Sequence, residues 1–254
     1  TLRALYAMRA YFLRREESCE LDAVDDWLRM VCVNRLTGHS NGFFSVYTLP
    51  PNQATSPDGQ RKINQKRGQV PPERDVGAIL KKKSQALLRD VRPLMDDQQQ
   101  HAKGAVLMTG MASSMSELQD RSVQLVVTSP PFLDVVQYAS DNWLRCWFCG
   151  IDAKQVPMTM ARTVEAWQAA MREAFVELYR VVRPGGYVAF EVGEVRKGKV
   201  RLEEAVLPVA AQVGFVPELV MINAQNFTKT ANCWGVDNNK GGTNTNRIVV
   251  LRRP

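Results

Sequence analysis

The stretch Thr128-Ser129-Pro130-Pro131-Phe132 follows directly on the apolar run Ser-Val-Gln-Leu-Val-Val that begins at Ser122, and it combines residue types able to hold a planar, amino-bearing ring. Two successive prolines remove two backbone donors and stiffen the turn, which leaves carbonyl oxygens as acceptors; Ser129 adds a hydroxyl, and Phe132 adds a ring face. Acceptors on a rigid corner beside an aromatic face suit an exocyclic amino group on a nucleobase. The amino hydrogens are bonded and the base stacks. In open α/β sheets ligands bind at the carboxyl ends of strands, where this corner falls. An ordinary strand-ending turn can carry the same letters.

The second concentrated feature is charge. Between Gln60 and Arg92 ten lysines and arginines face three acids, so this segment holds the whole formal excess of +7. Arg61, Lys62, Lys66, Arg67, Lys81, Lys82 and Lys83 are its core, and such a cluster can neutralise several phosphates in a salt-sensitive, sequence-independent way. The same residues fit a solvated helix face, because Ile79, Leu80, Leu87 and Leu88 are spaced for burial behind the lysines. Cys146 and Cys149 form a Cys-x-x-Cys, but Trp143, Leu144, Trp147 and Phe148 around it read as buried helix, and no metal site is assigned. His39 lies in a polar loop and receives no catalytic role. Glu191 and Glu194, near the end of an apolar strand, are expected to line a cleft or bind basic neighbours rather than to act as a base.

The 254 residues are 45% hydrophobic and 23% charged, enough for one large domain or two small ones. Apolar runs extend only a few residues, short of the roughly 20 that a membrane span needs. The five cysteines are odd in number and scattered, which suits reduced thiols in a cytoplasm. Residues 1–36 carry apolar residues at helical spacing and predict two amphipathic helices. Residues 37–60 predict a long loop with a short strand at Phe44–Tyr47, and Arg74–Val91 predicts a basic helix. Beyond residue 104, short apolar runs alternate with helical patterns, the signature of an α/β fold with a mostly parallel sheet. The expected strands are Ala105–Met108, Val123–Val127, Tyr187–Val192, Phe215–Ile222 and Ile248–Leu251. Helices are expected near Ser114–Leu118, Leu133–Phe148, Thr163–Val182 and Leu202–Val213. The chain thus divides into a helical, basic, loop-rich region over 1–103 and an α/β region over 104–254.

Residues Thr128 to Phe132 resemble the catalytic loop of the DNA amino-methyltransferases, whose pattern is Ser, Thr, Asn or Asp followed by Pro-Pro and an aromatic residue. The approach Val106-Leu107-Met108-Thr109-Gly110, the segment Ser113–Asp120, and the later Leu178 to Phe190 with its Pro184-Gly185-Gly186 are similar to that family's elements. Asn223–Arg247 looks like its last loop, and the resemblance covers about residues 104–252. It implies a Rossmann-like class I methyltransferase sheet, S-adenosylmethionine as methyl donor, double-stranded DNA as partner, and a target base swung out of the duplex. Ser129 Oγ and the Pro130 carbonyl would accept from the amino group, Phe132 would stack on the ring, and the nitrogen would attack the methyl in line. No cysteine nucleophile is needed, unlike C5-cytosine methylation. In that family Ser before Pro-Pro leans to cytosine N4, whereas Asn or Asp leans to adenine N6. Phe227, Lys229 and Trp234, with Asn246 nearby, are candidate walls of the base pocket, with packing roles as the equal alternative.

The family's Gly-rich cofactor turn is missing: the chain contains no Gly-x-Gly. Gly110 and Gly193 come nearest, each without its second glycine. The strands found correspond to the third through seventh of the fold, so the expectation is a chain that lacks the first two, either because it begins downstream of them, as its start at Thr1 suggests, or because another polypeptide supplies them. The alternatives are an N6-adenine enzyme, a non-catalytic nucleic-acid-binding fragment, and an RNA or protein amide methyltransferase.

Overall fold

The computed structural model describes residues 1–36, 42–44, 56–89, 102–131, 133, 139, 142–195, 200–225 and 244–254. They form two compact units, Thr1–Leu107 with Gln137–Val156, and Met108–Val136 with Pro157–Pro254. No helix among the described residues is long and apolar enough to cross a membrane.

The first unit is helical: α1 (Leu2–Glu17), α2 (Ala23–Arg35), α4 (Val76–Arg89) and α5 (Trp143–Phe148) lie where periodicity predicts helix, and α3 (Pro57–Arg67) is a helix that it does not predict. Asp22 starts α2 as a capping box with Asp25, relieving backbone donors that a helix start otherwise leaves unmatched. Leu5, Phe12, Val31, Cys32, Val76, Leu80 and Phe148 make the core. Asp25 is buried there, bonded by Arg15 at 2.7 Å and by the Tyr11 hydroxyl at 3.0 Å. The sequence pattern places Pro57–Gln60 in a loop, yet Ser56 caps α3 by accepting from Gly59, Pro57 opens it, and Gly68 closes it in the left-handed region. No residue of α3 is buried.

The second unit is an open, mixed α/β sheet. β1 (Val123–Thr128) runs parallel to β2 (Val182–Val195), β5 (Asn244–Arg252) lies antiparallel to β2, and β4 (Val216–Gln225) lies antiparallel to β5. The order is β1-β2-β5-β4, with the short β3 (Val200–Arg201) paired to the end of β2. Helices α6 (Val164–Val181) and α7 (Leu202–Val213) cover one face. Alternation puts Val188, Phe190 and Val192 of β2 and Val249 and Leu251 of β5 on that face, where they pack with Trp167, Met171, Phe175, Val206 and Val209. The ring of Phe175 sits 4.8 Å from that of Phe190.

The opposite face carries Leu125 and Val127 of β1, Tyr187 of β2, and Val216, Leu219 and Met221 of β4. Leu125 is 55% exposed, Val127 76% and Met221 55%. Among the described residues no strand lies beside β1 on its outer side.

Several expectations need correction. Ala105–Met108 is not a strand: the segment is irregular and Leu107 is 98% exposed, because an apolar run becomes a strand only where a neighbour supplies a ladder. Ser114–Leu118 is not a helix but two turns, closed by Ser114 N–H to the Met111 carbonyl and Leu118 N–H to the Met115 carbonyl. Arg180 takes the carbonyls of Met115 and Leu118 at 2.9 and 2.8 Å, so the segment is held by α6 instead of by its own ladder. Pro184-Gly185-Gly186 is not a turn ahead of a strand but an irregularity within β2, where the pairing jumps from Val123↔Val182 to Leu125↔Tyr187. A side chain at Gly186 would come within 2.9 Å of the Gln124 and Arg183 carbonyl oxygens, which explains the glycine. Of the helix expected over Leu133–Phe148, Trp143–Phe148 is α5, and 134–138, 140 and 141 lie outside the described residues, as do 45–47 of the short strand expected at Phe44–Tyr47.

Candidate active site at the strand ends

The site is built where β1 stops. Thr128 pairs with Phe190 of β2, and the chain then leaves the sheet as Ser129-Pro130-Pro131. Because β1, β2 and β4 point the same way, their carboxyl ends and the amino end of β5 meet at one edge. Asn246 of β5 lies there, between Gly193 of β2 and Asn223 of β4, on the uncovered face together with Glu191. The structure thus brings Thr128–Pro131 and Asn246 to the same end of the sheet. Ser129 and Asn246 are exposed, whereas Thr128, Pro130 and Pro131 are half-buried. Phe132, Phe227, Lys229, Trp234 and His39 lie outside the described residues.

The corner is anchored from beneath. The indole Nε1–H of Trp167, one turn into α6, donates to the Pro131 carbonyl at 2.8 Å, and Leu133 is 1% exposed in the same core. The sequence alone does not single out Trp167, since its helical spacing marks it only as apolar. The one sequence signal is Thr163, whose side chain accepts from Ala166 and caps α6, placing Trp167 in the first turn.

The approach to β1 is fixed by ionic contacts. Arg180 donates to Glu177 at 2.7 and 2.9 Å and to Asp120 at 2.6 Å, and Glu177 accepts the Met115 N–H at 2.7 Å. The Arg180 guanidinium, helped by that N–H, pulls the Glu177 carboxyl from 4.5 to about 2. Near the strand-end edge, Glu203 at the start of α7 and Arg247 of β5 form a buried ion pair, and the second carboxylate oxygen of Glu203 is buried without a hydrogen-bond partner. The sequence marks neither residue, because nothing in it joins a helix start to a strand 44 positions away.

The cation cluster belongs to the other unit. Arg61, Lys62, Lys66 and Arg67 on α3 and Lys81 and Lys82 on α4 are exposed, while Lys83 is half-buried and Arg61 pairs with Asp58. Arg74 is structural, donating to the Gly42 carbonyl at 2.5 Å. Burial raises the Cys146 thiol and takes that of Cys32 up to about 12, which favours the protonated thiol at neutral pH.

Two grooves occur elsewhere. One of about 480 Å³ lies along the outward side of α6, lined by Ser113, Ala169, Arg172, Glu173 and Val176. The other, about 670 Å³ in the helical unit, is lined by Arg9, Trp143, Cys146, Trp147, Ile151 and Lys154 among others. The corner borders neither of them. Of the two glycines that come nearest to a cofactor turn, a side chain at Gly110 would meet nothing within 4 Å, so no close backbone approach is being preserved there, and Gly193 lies within β2.

No protein-family model matches the chain, and no curated protein does. Among solved structures, it is similar to a provisionally named DNA modification methylase of Thermus thermophilus in complex with S-adenosyl-L-methionine, at 20% identity over 57% of this chain and 52% of that one, with a TM-score of 0.37. A SAM-dependent methyltransferase of Methanosarcina mazei matches at 10% identity over 57% and 66% of the two chains, TM-score 0.32. A geranyl diphosphate C-methyltransferase of Streptomyces coelicolor matches at 11% over 65% and 58%, TM-score 0.36. The chain spans about half the length of the Thermus structures.

Proposed function

We propose that this chain carries the target-base side of an S-adenosylmethionine-dependent DNA methyltransferase acting on an exocyclic amino group, cytosine N4 ahead of adenine N6. The observation that carries this is the Thr128-Ser129-Pro130-Pro131 corner leaving the carboxyl end of a parallel strand with Ser129 exposed. Ser129 Oγ and the Pro130 carbonyl accept from the amino group of a base turned out of the duplex, and Phe132 stacks on its ring. Hydrogen bonds to both amino hydrogens fix the nitrogen lone pair, and catalysis is then mainly orientation and exclusion of water. Asn246, Phe227, Lys229 and Trp234 are assigned to the wall of the base site. The exposed cations Arg61, Lys62, Lys66, Arg67, Lys81 and Lys82, with Lys83 beside them, are assigned to the phosphates of double-stranded DNA. The setting is the cytoplasm, in a restriction-modification context.

Among the described residues the glycine at 110 cradles nothing, and the donor is assigned to polypeptide outside them. The uncovered face of the parallel β1–β2 pair supports this: parallel strands are normally buried on both faces, and Leu125 and Val127 of β1 are not. A further segment or a second chain that covers this face would complete the cofactor site. The same exposure favours one second reading, that the chain by itself is a nucleic-acid-binding piece without catalysis.

Nucleoside mass spectrometry of DNA treated with the complete protein tests the proposal. N4-methylcytosine is expected; N6-methyladenine alone overturns the cytosine assignment, and unmodified DNA that is nonetheless bound favours the second reading.

A further inference from the structure

We infer that Trp167 is a positioning residue for the diproline corner, an inference that rests on the amino-methyltransferase reading above. Prolines at 130 and 131 have no N–H, so the corner cannot fix its carbonyls by donating to itself at those positions. Their directions must be set from outside. Trp167 supplies what is needed: an indole is a donor only, it is 1% exposed, and its N–H reaches the Pro131 oxygen at 2.8 Å. Buried in the α6 core against Met171 and Phe175, the ring cannot follow the corner if the corner drifts. The Pro131 carbonyl is thereby committed to the protein, and the Pro130 carbonyl is the one presented to the amino group. Leu133, also 1% exposed, fastens the chain on the far side of the corner. Trp167 touches neither base nor donor; it acts through Pro131.

The test separates the N–H from the ring. In the complete methylating enzyme, Trp167 is replaced by benzothienylalanine, which exchanges the indole N–H for sulfur at nearly constant shape, and in a second variant by phenylalanine. Loss of the donor is expected to lower kcat by about 10-fold to 100-fold, as misplacement of a reacting group does, while KM for DNA stays unchanged. Circular dichroism and the thermal transition establish how much of each variant is folded. If both variants turn over at the parental rate per folded molecule, with only the melting temperature lowered, Trp167 is a core residue and the inference is wrong. If the parental enzyme transfers no methyl group to DNA, the amino-methyltransferase reading itself falls and takes the inference with it. That outcome differs from the previous one, in which the parent is active.

Discussion

A hydroxyl at Ser129 and a carbonyl at Pro130 offer two acceptors on a corner that contributes no N–H from either proline, a pairing suited to an amino group and poor for a carbonyl ligand. Ser129→Ala removes one of the two acceptors without touching the core, since Ser129 is exposed. It should lower kcat by about 10²-fold, the scale of losing one preorganised hydrogen bond, and leave DNA affinity within about twofold; steady-state methylation and filter binding measure the two separately. Glu177 belongs to the same scale but acts on stability. Its folded carboxyl titrates near 2 against an ordinary value of 4.5, so its stabilising effect is complete above about 4.5 and fades as the pH falls toward 2. Glu177→Gln should therefore lower the melting temperature at pH 7, by about 2–4 °C for each kcal/mol lost, and make no difference near pH 2. Melting curves across that range decide it; an equal deficit at both ends would mean that packing, not charge, holds the residue.

The elements are legible where a periodic pattern also has caps, and illegible where tertiary neighbours decide. Leu202–Val213 reads from the sequence with the bounds the structure has, because its apolar spacing ends at Gly214, whose φ of +117° suits a helix stop. α3 as a whole does not, although Ser56, Pro57 and Gly68 spell a capped helix; its lack of any buried face removes the apolar period on which such a reading relies. Ala105–Met108 fails for the opposite reason, having strand-like residues and, among the described residues, no neighbour to pair with. The corner at 128–131 follows from residue chemistry, but its support does not, because the bond from Trp167 to Pro131 spans 36 positions. The irregularity in β2 shows the same limit. Gly186 has no room for a side chain against two backbone oxygens, and Arg253 brackets the spot by accepting from Gly185 N–H at 2.8 Å and donating to the Gly186 carbonyl at 2.9 Å. Gly186→Ala must push backbone apart, so it should cost about 1–3 kcal/mol, read as a lower denaturation midpoint at unchanged slope. Gly68→Ala tests the contrast, since open space surrounds Gly68 and only its φ of +59° resists a side chain.

At the scale of the molecule, the α/β unit has a core on one side of its sheet and an apolar surface on the other. Burying a leucine, valine or methionine side chain contributes roughly 1.5–3 kcal/mol, so covering Leu125, Val127, Leu219 and Met221 would release several kcal/mol to whatever covers them. Exposed apolar patches of this kind mark interaction surfaces. If the face is where the cofactor-bearing layer docks, Val127→Lys and Met221→Lys should leave the chain's own stability within about 0.5 kcal/mol, because both side chains are already exposed, yet block assembly of the active enzyme. Calorimetry on the parental chain alone should show little or no binding of S-adenosylmethionine, with tight binding restored by the covering polypeptide and lost again in the lysine variants. Tight one-to-one binding by the isolated chain would mean that its own residues complete the cofactor site and that the open face serves some other contact. Unaltered assembly in the lysine variants would remove the face from the assembly and leave the outer edge of β1 as the place where the proposed cofactor-bearing layer would join.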